Sequence, residues 1–117
     1  MSLGNPSEDS IDRWDIVVVP FPFTDRSVAK RRPALVLSSA SFNSCGHIIL
    51  AMITTAAKIA WPSDIRITDL IAAGLRESCV VRCNLFTLDN RLVLHKAGHL
   101  ALADIVDVQA QLHNILL

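Results

Sequence analysis

The sequence predicts a mainly β protein, a compact β-barrel with helices, one of them short and internal and the other closing the chain. Three observations lead there. Short β-branched and apolar runs recur along most of the chain, and they are bounded by proline, glycine and small polar residues. Only the last segment repeats its apolar residues at helical spacing. The pattern lacks the long alternation of strand and helix that parallel βαβ units require.

The elements follow in order. Trp14-Asp15-Ile16-Val17-Val18-Val19-Pro20-Phe21-Pro22-Phe23 is a β-branched run ended by prolines, which cannot donate to a ladder, and forms the first strand. Thr24 to Pro33 combines turn formers with Arg26, Lys30, Arg31 and Arg32, so it reads as an exposed basic hairpin loop leading into a second strand, Ala34 to Ser38. Ile48 to Thr54 is a continuous apolar run, as expected of a strand covered on both faces. Ser63 to Ile67 alternates polar with apolar and reads as a half-buried strand. Thr68 is placed to cap a short helix over Asp69 to Ala73, with Gly74 as its left-handed stop. Ser78 to Leu88 reads as another strand and Arg91 to Lys96 as a shorter one, for five or six in all. Ile105, Val108, Leu112 and Ile115 share one face of the closing helix, where Asp104 and Asp107 are expected to satisfy its free N–H groups.

Composition bounds the function. The chain has 117 residues, 51% of them hydrophobic, with 11 basic and 11 acidic side chains and no net charge. That is one domain, able to bury roughly two-thirds of its unfolded surface without disulfides or a structural metal. Residues 11–117 are read as that domain, and 1–10 as a disordered N-terminal segment or expression scar. Mean hydropathy is +0.41, yet the longest apolar run, Ile48 to Ile53, is far shorter than the ~20 residues of a bilayer span. Neutrality argues against charge-driven coating of DNA while leaving room for a local basic site. Three cysteines without an apolar leader point to a reduced, cytoplasmic protein.

Several groups carry possible chemistry. Arg26, Lys30, Arg31 and Arg32 adjoin Phe21 and Phe23, and guanidinium forks match phosphates while aromatic faces accept unstacked bases. The plainer reading is a solvated loop beside core phenylalanines. Pro33 holds Arg32 in extended geometry. Thr54 and Thr55 end an apolar strand with two hydroxyls, suited to a phosphate or to local backbone groups. Strand alternation puts Arg82 and Asn84 on one face. Cys79 and Cys83, followed by His95 and His99, have spacing reminiscent of zinc ligands, but the cysteines lie in a hydrophobic strand without a tight knuckle, and no metal is expected. Cys45 is a nucleophile only if a base converges on it. The absence of a glycine-rich phosphate loop counts against a nucleotide-binding enzyme.

In sequence order, Arg13-Trp14-Asp15-Ile16-Val17, Pro20-Phe21-Pro22-Phe23-Thr24, Lys30-Arg31-Arg32-Pro33-Ala34-Leu35-Val36-Leu37-Ser38, Ile53-Thr54-Thr55 and Val80-Val81-Arg82-Cys83, with Leu88-Asp89 beyond them, resemble the MazF/PemK toxins. The resemblance runs from Arg13 to the closing helix. It implies a dimeric SH3-like barrel of the CcdB–MazF type, acting without cofactor or metal as a sequence-specific endoribonuclease, an mRNA interferase. Its implied partners are single-stranded RNA, a cognate antitoxin and a second copy of the chain, with DNA reached only through the antitoxin and no membrane. By position Arg32 is similar to the family's arginine at the scissile phosphate and Thr54 to the threonine beside it. Attack by the substrate's 2′-hydroxyl would leave a 2′,3′-cyclic phosphate or 3′-phosphate and a 5′-hydroxyl. Arg82, Asp25, Thr55 and Asn84 are candidates for proton transfer or phosphate contact, and Arg26, Lys30, Arg31, Phe21 and Phe23 for holding RNA.

The chain also departs from the family pattern. Trp14 replaces the usual glycine before Asp15, Ser27 stands where some members have glutamate, and Asn84 where some have aspartate. An amide cannot act as a general base. Two alternative readings follow: a catalytically degenerate RNA- or antitoxin-binding module of the same fold, and a gyrase-inhibiting toxin resembling CcdB. The second is disfavoured because the sequence closes Ile115-Leu116-Leu117 rather than Trp-Gly-Ile.

Overall fold

The first strand begins at a backbone kink. Trp14 has φ +75°, a left-handed conformation that side chains other than glycine adopt at a cost of about 1–3 kcal/mol. Trp14 N–H donates to Val36 O and Leu100 N–H to Trp14 O, both at 2.8 Å, so the kink joins three segments. The computed structural model describes residues 10–21, 30–56 and 59–117. Of the expected N-terminal segment only Ser10 lies among them, and Phe23, Asp25 and Arg26 lie outside the described residues.

Among the described residues six antiparallel strands form one sheet in the order β4-β5-β3-β2-β1-β6: β1 (Asp15–Phe21), β2 (Lys30–Val36), β3 (His47–Thr55), β4 (Ile65–Arg66), β5 (Cys79–Asp89) and β6 (His95–His99). The sheet curls into a half-barrel, so both faces carry core. One face buries Ile16, Leu35, Ala51, Ile53, Val81 and Leu100 beneath the closing helix α3 (Leu102–Leu116). The other encloses Val17, Val19, Phe21, Ala34, Val36, Ile48, Leu50 and Phe86. The alternation of these sets along β1 and β2 is that of a pleated strand covered on both sides.

Several elements differ from the sequence reading. Lys30, Arg31 and Arg32 belong to β2 rather than to the hairpin loop. Pro33 is tolerated there because at its position β2 pairs with β1 only, opposite Val18, and β3 joins from Ala34 onward. The strand expected over Ser63 to Ile67 shortens to Ile65–Arg66. Arg91 to Lys96 divides into a 3-10 turn, Asn90–Leu92, and β6. A four-residue helix α1 (Ala40–Asn43), capped by Ser39, appears before β3 without having been expected.

The internal helix α2 (Leu70–Ala73) is capped by Asp69, not Thr68, and stopped by Gly74 at φ 74°. A Cβ at Gly98 would lie 2.5 Å from Ala72 O, so α2 rests directly on β6 there. Asp104, 1% exposed, leaves its own helix start and accepts from Thr68 N–H, Thr68 Oγ1 and Asp69 N–H at 2.7–3.1 Å. Ala101, the N-cap of α3, makes no side-chain capping bond. Ile105, Val108 and Leu112 face the core as expected, whereas Ile115 is 48% exposed. No helix among the described residues is long and apolar enough to cross a membrane.

Candidate active site

Arg32 and Thr54 lie just beyond the paired part of β2 and β3. Ala34 pairs with Met52, and two residues further along each strand, on the same pleat face, stand Arg32 and Thr54. Arg32 pairs with Val19 in β1, and its guanidinium carbon lies 5.8 Å from the centre of the Phe21 ring. Phe21 in turn meets Phe86 edge-on, with ring centres 5.2 Å apart and planes at 80°. A guanidinium over a partly covered ring gains about 0.5–1 kcal/mol while its N–H groups stay available for an anion. Strand, buried aromatic and cation together aim Arg32.

The neighbours of this pair separate by alternation. Lys30, exposed, pairs with Phe21 and shares the face of Arg32. Arg31 pairs with Pro20 and points to the opposite face, so the basic run does not act as one cluster. Thr55 likewise turns away from Thr54, pairing with Cys79 on the side beneath α3. These two placements set on opposite faces residues that the sequence reading had grouped, Arg31 with Lys30 and Thr55 with Thr54. A period of two separates adjacent residues whatever their chemistry.

Arg82 is also placed differently from expectation. It pairs with Met52 on the site face but is 9% exposed and held through Nε and Nη2. Nε donates to Asp64 Oδ1 at 3.0 Å, and Nη2 donates to Asp64 Oδ2 at 2.8 Å and to Ile59 O at 2.7 Å. Its guanidinium carbon also lies 4.9 Å from the centre of the Trp61 ring. The ion pair follows from register, since Ile65 pairs with Val81 and Asp64 is the next step opposite Arg82. The Arg82 guanidinium, hydrogen-bonded to Asp64, holds that carboxyl below the usual range, helped by the Trp61 N–H. The same bond raises Arg82 further above its ordinary value. Arg82 thus commits its Nε and Nη2 donors to Asp64 and Ile59.

Asn84 lies in a β-bulge where Cys83 and Asn84 fall between the Met52–Arg82 and Ala51–Leu85 pairs. It is exposed, and its amide nitrogen approaches Met52 Sδ at 3.8 Å. Arg82 and Asn84 thus flank Met52, one locked and one facing solvent. Reasoning from sequence missed Asp64, Trp61 and Met52. The opposite charges of Asp64 and Arg82 on two strands were a usable signal, but only with the register known.

The cysteine–histidine spacing does not build a site. Cys79 and Cys83 are on β5 and His95 and His99 on β6, with β3, β2 and β1 between them in the sheet. No group of three or more histidine, cysteine, aspartate or glutamate side chains converges among the described residues. Burial pushes the Cys79 and Cys83 thiols up, with Glu77 adding to the first and a hydrogen bond with Ser63 opposing the second. Cys45 is exposed and donates to Ser41 O at 3.6 Å. His99 Nδ1 instead contacts buried Asp15 Oδ1 at 2.8 Å, with Lys96 Nζ 3.3 Å from the same oxygen.

Solved structures with this fold include MazF from Deinococcus radiodurans, at 24% identity and a TM-score of 0.71, covering 92% of this chain and 96% of that one. The Mycobacterium tuberculosis toxin MazF-mt6 aligns at 20% identity and a TM-score of 0.69, covering 86% and 93%. A mycobacterial endoribonuclease solved with its cognate antitoxin aligns at 16% identity and a TM-score of 0.70, covering 91% and 94%. These likenesses establish the fold. No curated protein sequence matches the chain. The family model for PemK-like, MazF-like toxins of type II toxin–antitoxin systems matches residues 12–116, nearly the whole described domain, and the chain belongs to that family.

Proposed function

We propose that the protein is a sequence-specific endoribonuclease toxin that cleaves single-stranded RNA by attack of the substrate's own 2′-hydroxyl. What supports this reading is that Arg32 and Thr54 each lie two residues beyond the Ala34–Met52 pair, on the same face of β2 and β3, with Arg32 set against Phe21. In the reaction the 2′-oxygen bonds to phosphorus and the bond from phosphorus to the 5′-oxygen breaks. The 2′ proton passes to a base, and the leaving 5′-oxygen gains a proton. Products are a 2′,3′-cyclic phosphate, which water can open to a 3′-phosphate, and a 5′-hydroxyl. The nucleophile comes with the substrate, so the protein's part is to align it, stabilise charge on the phosphorane and move protons.

Arg32 neutralises the non-bridging oxygens, Thr54 Oγ1 donates to one of them, and Lys30 holds a flanking phosphate on the same face. Asn84 can hydrogen-bond the substrate but cannot take its proton. Asp64 is kept ionised by Arg82 and makes a poor base. Asp25 then supplies the base, with Arg26 and Phe23 of the same segment contacting RNA. Requirement for a 2′-hydroxyl restricts cutting to RNA. The solved relatives captured as MazE–MazF and toxin–antitoxin complexes support a cognate antitoxin as partner. Leu102, Val106 and Leu116, exposed along α3, supply apolar surface for a second copy.

A second reading, a binding module of the same fold without turnover, is favoured by Asn84 and by the locked Arg82. Incubation of a long single-stranded RNA with the purified protein in excess EDTA, with product ends read by mass spectrometry, separates the two. Cuts at defined sequences ending in cyclic phosphate are expected, with Arg32→Ala and Thr54→Ala each slower by about 10²–10³. RNA bound but left intact would favour the second reading, and cutting that requires a metal would overturn the proposed chemistry.

A further inference from the structure

The Arg82–Asp64 pair accounts for the charge of both groups but not for the indole set against it. Trp61 sits in the segment between β3 and β4 with its ring over the Arg82 guanidinium, yet it remains 42% exposed. A tryptophan that served only to cover the ion pair would gain most by burying its ring, since indole surface left in water forfeits the benefit of its size. Four hydrogen bonds hold the segment instead: Arg82 Nη2 to Ile59 O, Arg82 Nε and Nη2 to the two oxygens of Asp64, and Trp61 N–H to Asp64 Oδ2 at 2.9 Å. Rigid support beneath a ring with open area is the arrangement of a stacking platform.

Its location matters as much as its exposure. Arg82 pairs with Met52, and Thr54 is the next residue on that face of β3. The indole therefore stands beside the strand that presents Thr54, across β3 from Arg32 on β2. A purine, with two fused rings, overlaps an exposed indole more fully than a pyrimidine does.

We propose that Trp61 stacks on a nucleobase flanking the scissile phosphate, preferring a purine there, and that the Arg82–Asp64 pair is what holds the ring in place. This rests on the RNA-cleaving reading above and assigns that site a base-binding position. Trp61 touches a flanking base and not the reacting atoms, so its loss removes binding shared by ground and transition states.

The probe is the RNA the wild-type protein cuts, made with a 2′-O-methyl group at the scissile position so that it binds without reacting. Its addition should quench tryptophan fluorescence, and the quenching should vanish in Trp61→Phe, which keeps Trp14 and an aromatic ring in place. Trp61→Ala should raise KM for the cleavable RNA about 5- to 100-fold while kcat stays within about twofold, and Trp61→Phe should recover most of the loss. An abasic nucleotide at the flanking position should weaken binding to the wild type by a similar factor and leave Trp61→Ala unchanged. Equal melting temperatures for the three proteins keep folding out of the comparison. Unchanged KM in Trp61→Ala, or quenching that persists in Trp61→Phe, overturns the platform while leaving the nuclease intact. A wild-type protein that neither binds nor cuts RNA overturns both.

Discussion

Asp104 is the test of how the closing helix is fastened. Its carboxylate, 1% exposed, accepts from Thr68 N–H, Thr68 Oγ1 and Asp69 N–H, and so ties α3 to the start of α2 across 35 and 36 residues of chain. Hydrogen bonds to a charged acceptor contribute about 1.5–3 kcal/mol each when buried. Thr68 and Asp69 are themselves exposed, so water can recover part of what their donors lose. Asp104→Ala should therefore cost about 3–4 kcal/mol, less than the sum of the three, out of the roughly 5–15 kcal/mol typical of a domain. For a chain of this length that lowers the midpoint of thermal unfolding by on the order of 12–16 °C. Asp104→Asn keeps one accepting oxygen but turns an amide toward Thr68 N–H, and should fall between Ala and wild type. Urea and thermal melts at fixed protein concentration measure both, since self-association would otherwise shift the midpoint. An alanine variant within about 1 kcal/mol of wild type, or an asparagine variant below alanine, would refute the clamp.

Other predictions concern charge, backbone and thiols. Arg82 holds the Asp64 carboxyl below its unfolded value, so that pair stabilises the fold fully above about pH 4 and loses its contribution as pH falls through the depressed native value; Asp64→Asn should flatten that part of an acid-unfolding curve. Gly98→Ala should destabilise by several kcal/mol, on the order of 2–4, because its Cβ would lie 2.5 Å from Ala72 O, and melts of that variant read this directly. Arg32→Lys keeps the charge but loses the planar fork, so RNA cleavage should fall at least about tenfold while the melting midpoint stays put. Exposed Cys45 should react with a thiol reagent well before Cys79 and Cys83, whose thiols burial pushes up.

Most strands were legible because their signals are local. The β-branched run at Ile16 to Val19, the apolar run from Ile48 and the stop at Gly74 each state their own conformation within a few residues. The core face of α3 was equally readable from Ile105, Val108 and Leu112, whereas Ile115, past the last turn that covers core, follows the same spacing and faces solvent. The roles proposed for Arg32 and Thr54 came from a resemblance in sequence, and nothing in their spacing alone singles them out.

Tertiary structure decided what depends on pairing between distant segments. Trp14 keeps a left-handed backbone because Val36 and Leu100 hydrogen-bond it from two other elements. The register of β2 on β3 leaves Arg32 and Thr54 each two residues beyond the Ala34–Met52 pair on one face, and alternation then turns Arg31 and Thr55 away. One step of the β4–β5 register puts Asp64 opposite Arg82, which sets the guanidinium between that carboxylate and the Trp61 ring. Composition and periodicity determine that this chain makes short strands and one closing helix, because propensity and burial act residue by residue. Register is a property of two strands at once, so only the folded sheet determines which side chains meet.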